Sequence, residues 1–177
     1  MTDEAVSLAA LPPEVVRYIQ GPGPESRQFD FLIGDWSVAG TRFAPSGDIV
    51  TTYVGKWRAE HRHGKRMVVD DFTVILPNGE EASSFVTVRS YSPLTRRWEI
   101  AGLGAFQPAL QGEWFGQWTE GEMVLHARAK GPDGREIGNL IRFHEITARS
   151  FQWESRMSLD DGATWFKAAA LVATRIA

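Results

Sequence analysis

The chain has 177 residues, enough for one all-β domain with a sizeable core, and nothing in its length asks for a second domain. Its formal charge of −3, with Lys and Arg scattered rather than clustered, lacks the electrostatic footprint of a protein that tracks phosphates, so nucleic acid is not an expected partner. The absence of cysteine excludes disulfides, thiolate metal sites, iron–sulfur clusters and a cysteine nucleophile, which leaves packing to supply the stability.

In chain order, the acidic start Met1-Thr2-Asp3-Glu4 precedes a short Ala-rich stretch that lacks the basic and apolar regions of a secretory signal. No stretch approaches membrane-spanning length, so the expectation is a cytoplasmic protein with no membrane partner. Residues 12–20 carry Pro at a helix start with Gly21-Pro22-Gly23-Pro24 beyond its end, which predicts one short helix and a linker over 1–28. From Phe29 the apolar period changes to two. Strands are expected near 31–43, 48–60, 65–76, 83–91, 96–102, 111–118, 122–130, 135–146, 150–158 and 164–176. Pro45-Ser46-Gly47-Asp48, Pro77-Asn78-Gly79-Glu80, Gly131-Pro132-Asp133-Gly134 and Asp160-Asp161-Gly162-Ala163 combine residues that preset or tolerate turn geometry. No helical pattern separates two strands, so the sheet is expected to be antiparallel, and about ten such strands close into a barrel that removes their edges. The prediction for 29–177 is therefore a single all-β, closed, up-and-down antiparallel β-barrel. In a meander the turns near 45, 78, 132 and 161 share one end. The segment 102–110, with two glycines, a proline and Phe106, reads either as a lid over an open mouth or as an ordinary loop.

Phe29-Asp30-Phe31-Leu32-Ile33-Gly34-Asp35-Trp36 resembles the G-x-W segment of lipocalins and other calycins, and is similar in particular to bacterial lipocalin-like domains of unknown function. Val88 to Trp98 and the closing hairpin from Phe151 to Arg175 extend the likeness over most of 29–176. The resemblance implies that Trp36 lies across a closed barrel end, with Gly34 beside it and an Arg from the last strand packed on the indole. Arg175 is in that position, and counting strand directions independently puts it at the same end as Trp36. All three are expected to be structural. Ser158-Leu159-Asp160-Asp161-Gly162-Ala163-Thr164-Trp165 also matches the Asp-box of sialidase-type propellers. A single copy reads instead as a hairpin turn in which Asp160 accepts backbone N–H bonds and Trp165 covers the strands.

Candidate chemistry is sparse. His61 and His63 stand at H-x-H spacing among Arg62, Lys65 and Arg66, whose charge opposes a cation, so they read as solvated turn residues and no bound metal is expected. Some barrels of the kind this chain resembles bind haem through a His on a late strand; the last two strands here carry none, so the resemblance implies no haem, no glycine fingerprint points to a nucleotide, and no cofactor is assigned. In Met67-Val68-Val69-Asp70-Asp71-Phe72 adjacent carboxylates face opposite ways, so one must enter the barrel, either as an acid–base with raised pKa or paired with an arginine such as Arg89 or Arg128. Asp71 is taken as that carboxylate. His126 and Arg128 share a face that alternation gives to solvent but that a ligand-binding barrel can turn inward. The same ambiguity holds for Arg142 and His144 and for Glu154 and Arg156.

Seven Trp and ten Phe suit either a bulky core or the flat walls of a ligand cavity. The expected function is a binding module for a small apolar or amphipathic organic molecule, its pocket walled by Tyr53, Trp57, Arg89, Trp98, Phe106, Trp114, Arg128 and Trp153. The alternative is a cofactor-independent enzyme, an isomerase, cyclase, lyase or hydrolase, with an enclosed carboxylate, taken as Asp71, or His126 as acid–base. The chain is expected to act as a monomer or homodimer.

Overall fold

Two-residue alternation along ten consecutive segments sends one set of side chains to a common interior, and each segment pairs with the next. The computed structural model describes residues 7–104, 107–130 and 134–176. It contains β1 (Gly34–Phe43), β2 (Ile49–Arg62), β3 (Met67–Ile75), β4 (Glu81–Ser92), β5 (Arg97–Gly104), β6 (Gln107–Thr119), β7 (Glu122–Lys130), β8 (Glu136–His144), β9 (Ser150–Ser158) and β10 (Phe166–Arg175). All neighbouring pairs are antiparallel and β1 pairs with β10, so the sheet closes as the alternation predicted. Closure leaves no free strand edge. Helix α1 (Pro13–Gln20) begins with Pro at its first position and docks on the barrel through Tyr18, whose hydroxyl lies 2.9 Å from Ser90 Oγ. Arg66 donates to the carbonyls of Tyr18 and Ile19 at 3.0 and 2.7 Å, satisfying two of the acceptors that a helix C-terminus leaves open.

One end of the barrel is plugged. A short 3₁₀ turn (Asp30–Leu32) carries Phe31 and the fully buried Leu32, and just before it Phe29, also fully buried, meets Trp98 edge-on at 4.7 Å. Trp36 is fully buried and donates its indole N–H to the Leu32 carbonyl at 2.7 Å. The Arg175 guanidinium sits 4.0 Å above the Trp36 ring, and Trp36 and Arg175 are direct partners in the β1–β10 register. The same guanidinium donates to the carbonyls of Ile33 (2.8 Å), Phe31 (3.2 Å) and Ala148 (2.9 Å). It ties the plug, the last strand and the β8–β9 turn together. Gly34 is required beside it: its φ is +119°, and a Cβ there would lie 2.5 Å from Arg175 Nη1.

At the opposite end lie the turns at 44–48, 76–80 and 159–165. The segment expected to form a long loop at 102–110 is mostly strand. β5 reaches Gly104, β6 begins at Gln107, and Gly104 pairs with Gln107, with register shifts at Gly102/Leu103 and Leu103/Gly104. Glycines absorb such bulges easily, which is why a run read as a lid continues the ladder. Ala105 and Phe106, and Gly131 to Asp133 of the expected turn, lie outside the described residues. In the β9–β10 turn, Asp160 Oδ1 accepts the Thr164 N–H at 2.9 Å and the Ser158 hydroxyl at 2.8 Å, and Oδ2 accepts the Thr164 hydroxyl at 2.6 Å. Gly162 has a φ of +89°, and Trp165 covers Gly138 on the outer wall. The Asp-box sequence is thus a hairpin turn.

Trp36→Ala should destabilise the protein by roughly 3–5 kcal/mol, as for other buried aromatics, read as a lower urea midpoint at unchanged m-value; an unchanged midpoint would separate Trp36 from the closure. The Thr164 side-chain and backbone donors and the Ser158 hydroxyl hold the Asp160 carboxyl down at about 2, against an ordinary value of 3.8. A depressed carboxyl contributes stability above its unfolded pKa, and this is lost as pH falls through the folded value. Asp160→Asn should therefore flatten the acid limb of the thermal midpoint between about pH 4 and pH 2; an identical acid limb in the variant would refute the assignment.

Candidate functional site

The interior above the plug is not filled. A chamber of about 180 Å³ is walled by Trp57, Phe85, Ile100, Trp114, Leu125, Ile141, Phe143 and Trp153, with Thr87 and Arg89 among its lining residues. Trp57, Phe85 and Trp153 also line a wider space of about 930 Å³ that runs to the open end past Gly40, Arg42, Thr51, Tyr53, Val74 and Leu171. For scale, a cavity of roughly 150 Å³ accommodates a benzene-sized ring.

Inward glycines create part of this space. The Tyr53 ring lies over Gly40 and the Trp114 indole over Gly102, and a Cβ at either glycine would meet the facing ring at 2.2 and 2.8 Å. Trp114 is held by its N–H, which donates to Asn139 Oδ1 at 3.0 Å, while Asn139 Nδ2 donates to Ser155 Oγ at 2.8 Å. The polar tip of the indole is thereby satisfied and its flat face left to the chamber.

Beneath the chamber is a buried ion pair. Asp70 is 1 % and Arg89 3 % exposed, and Arg89 donates in bidentate fashion, Nε to Oδ1 at 2.6 Å and Nη2 to Oδ2 at 3.0 Å. Asp70 Oδ2 also accepts the Trp57 indole N–H at 2.8 Å, and Oδ1 accepts the Thr87 hydroxyl. The guanidinium carbon lies 4.8 Å from the Phe29 ring centroid and 5.6 Å from that of Phe143. Four donors, two of them from Arg89, occupy the carboxylate, which leaves it a structural anchor rather than a base open to a substrate.

The sequence-expected residues divide accordingly. Trp57, Arg89, Trp114 and Trp153 line the chamber, and Tyr53 lines the mouth. Trp98 does not: it is fully buried in the plug, its indole N–H donating to Gln28 Oε1 at 2.9 Å. Asp71 is exposed on the outer wall opposite Arg58, because the Val68, Asp70, Phe72 face of β3 is the inward one. Partial desolvation is the main cause that raises the Asp71 pKa, with Arg58 drawing it back. His126 is also exposed, 6.3 Å from the Phe115 ring centroid, and Arg128 pairs with Glu136 outside at 3.0 Å. Met123 and Leu125 own the inner face of β7, so His126 and Arg128, like Asp71 on β3, belong to the surface rather than to the pocket. Arg142 pairs with Glu122 (2.7 Å) and Glu154 with Lys167 (2.8 Å), while Ile141, Phe143 and Trp153 face inward. His61 lies 3.0 Å from Asp30 and His63 is an exposed turn residue. Among the described residues no cluster of three or more His, Asp or Glu could hold a metal ion, and no helix is long and apolar enough to cross a membrane.

Sequence reasoning missed Asp70, Phe85, Ile141, Phe143 and Arg42. Their signal was parity: the face of β3 that carries Phe72 and the face of β8 that carries Phe143 are the apolar ones, but the opposite face of β3 also held Val69 and Ile75, and that of β8 held Leu140.

A closed ten-stranded antiparallel barrel, plugged at one end beneath an Arg–Trp clasp and open at the other to an aromatic-walled interior, is a calycin-like barrel. No family model and no curated protein matches the chain. Among solved structures it is similar to the S-type phycobiliprotein lyase CPES from Guillardia theta, with a TM-score of 0.57 and 14% identity over 88% of this chain and 99% of that one. It is also similar to Rv2717c from M. tuberculosis, with a TM-score of 0.56 and 14% identity over the same shares. At this identity the likeness carries the fold.

Asp70→Asn should cost roughly 3–5 kcal/mol by stranding the Arg89 charge, whereas the paired replacement Asp70→Leu with Arg89→Met should recover most of it. Urea unfolding of both variants checks this; a double variant no more stable than the single one would show that the pair does more than neutralise itself.

Proposed function

We propose that this barrel is a binding module that holds a small apolar or amphipathic organic molecule between Trp57, Trp114 and Trp153. The observation that carries the reading is the combination of an open-mouthed, aromatic-walled chamber with an interior carboxylate whose oxygens are already occupied. Apolar walls with few polar groups are the usual chemistry of small-molecule sites. The catalytic alternative called for an enclosed carboxylate or His126 as acid–base; Asp71 and His126 stand on the outer wall, and the enclosed carboxylate, Asp70, already accepts four donors, which favours binding. The Gly34, Trp36 and Arg175 arrangement supports grouping the chain with lipocalin-like domains of unknown function. One neighbour of the same fold is named as a phycobiliprotein lyase, which fits an interior of this kind being put to use, but its 14% identity says nothing of this chain's ligand.

A neutral bicyclic probe, naphthylethanol, should bind and quench the intrinsic tryptophan fluorescence. Ile141→Trp, which fills the chamber from its wall, should weaken this binding by about tenfold or more, with the far-ultraviolet circular dichroism unchanged. Absence of any saturable binding to the unmodified protein would defeat the binding-module reading.

A further inference from the structure

The binding reading leaves open what kind of head group the ligand carries, and the charges at the mouth bear on it. Along β1 the buried residues Trp36, Val38 and Gly40 define the inward face, and Arg42 continues the same parity at the rim. It stands opposite Thr51 of β2 and Ala169 of β10. Among the described residues neither space in the barrel is lined by an Asp or Glu, but each is lined by an arginine. The two arginines differ: Arg89 is neutralised by Asp70, whereas Arg42 has no ion pair among the described residues. A chain of net charge −3 therefore presents an unmatched cation at the only described rim position where β1 points inward.

Beside it is a second donor. Tyr53, inward on β2, lines the same space, and its hydroxyl makes no hydrogen bond among the described residues. Burial raises the Tyr53 pKa and the nearby Arg42 charge opposes that rise, so at neutral pH the phenol keeps its proton to donate. Below both residues the walls are Phe85, Trp57 and Trp153, with no further free charge.

We propose, building on the binding-module reading, that the ligand class is an amphipathic organic anion: its carboxylate meets Arg42 and the Tyr53 hydroxyl at the mouth, and its apolar end enters the aromatic chamber. An anion at this point supplies the charge that the barrel lacks, and a guanidinium and a phenol are both donors that a carboxylate accepts. The chamber beyond, of about 180 Å³, sets the apolar end at about one or two fused rings or a short alkyl chain.

The test compares two probes of one skeleton, naphthylacetate and naphthylethanol, by isothermal titration calorimetry at neutral pH. The unmodified protein should bind the carboxylate about tenfold more tightly than the alcohol. Arg42→Gln should reduce naphthylacetate to the affinity of the alcohol while leaving the alcohol unchanged, and Tyr53→Phe should weaken naphthylacetate by a smaller factor. Equal affinities for the two probes in the unmodified protein, or a carboxylate preference that survives Arg42→Gln, would overturn the anion assignment while leaving the binding module standing. If neither probe binds, both readings fall together.

Discussion

The guanidinium of Arg175 is the constraint on which the interior depends. It covers the Trp36 indole and donates to carbonyls of the plug and of the β8–β9 turn, so one side chain from the last strand fixes the position of the segment that precedes the first. These carbonyls belong to backbone that forms no regular ladder, and buried backbone acceptors without a donor are costly. Arg175 satisfies them and seals the barrel floor in the same contact. With the floor sealed, apolar side chains that enter the barrel exclude water from one end, and an opening remains only at the other.

The Asp70–Arg89 pair extends the same logic upward. Two charges taken out of water at the base of the chamber are expensive unless each remaining donor and acceptor finds a partner. Here the carboxylate takes four donors and the guanidinium is flanked by Phe29 and Phe143. The pair locks Trp57 through its indole N–H, and Trp57 in turn lines both parts of the cavity. A charge cluster that looks catalytic in isolation thereby orients an aromatic wall. Polarity available to a ligand moves to the rim, where solvent lowers the cost of holding an unpaired charge such as Arg42.

Much of this was legible in advance. Period-two alternation and turn chemistry placed the ten strands within a few residues, and the G-x-W segment with a terminal arginine pointed to the closed end. The inward face was legible only where the opposite face was polar. On β3 both faces carry valines, so Asp70 and Asp71 were indistinguishable by pattern and the wrong one was taken. On β7 the simple alternation was right, and turning His126 and Arg128 inward was an error, because Met123 and Leu125 already filled the interior. The glycines at 102 and 104 read as a loop because glycine marks both loops and bulges, and only the pairing with β6 distinguishes them.

By itself, the sequence determined the elements, their antiparallel order and the closure of the barrel, because alternation, turn residues and short connections are local properties that act before any long-range contact forms. The tertiary structure alone decided which carboxylate is buried, which tryptophan belongs to the plug rather than the cavity, and how much of the interior stays empty. Those outcomes depend on how side chains from strands distant in sequence share one volume: Asp70 meets Arg89, Trp98 meets Phe29, and Trp114 leans over Gly102 only once the barrel has brought them face to face.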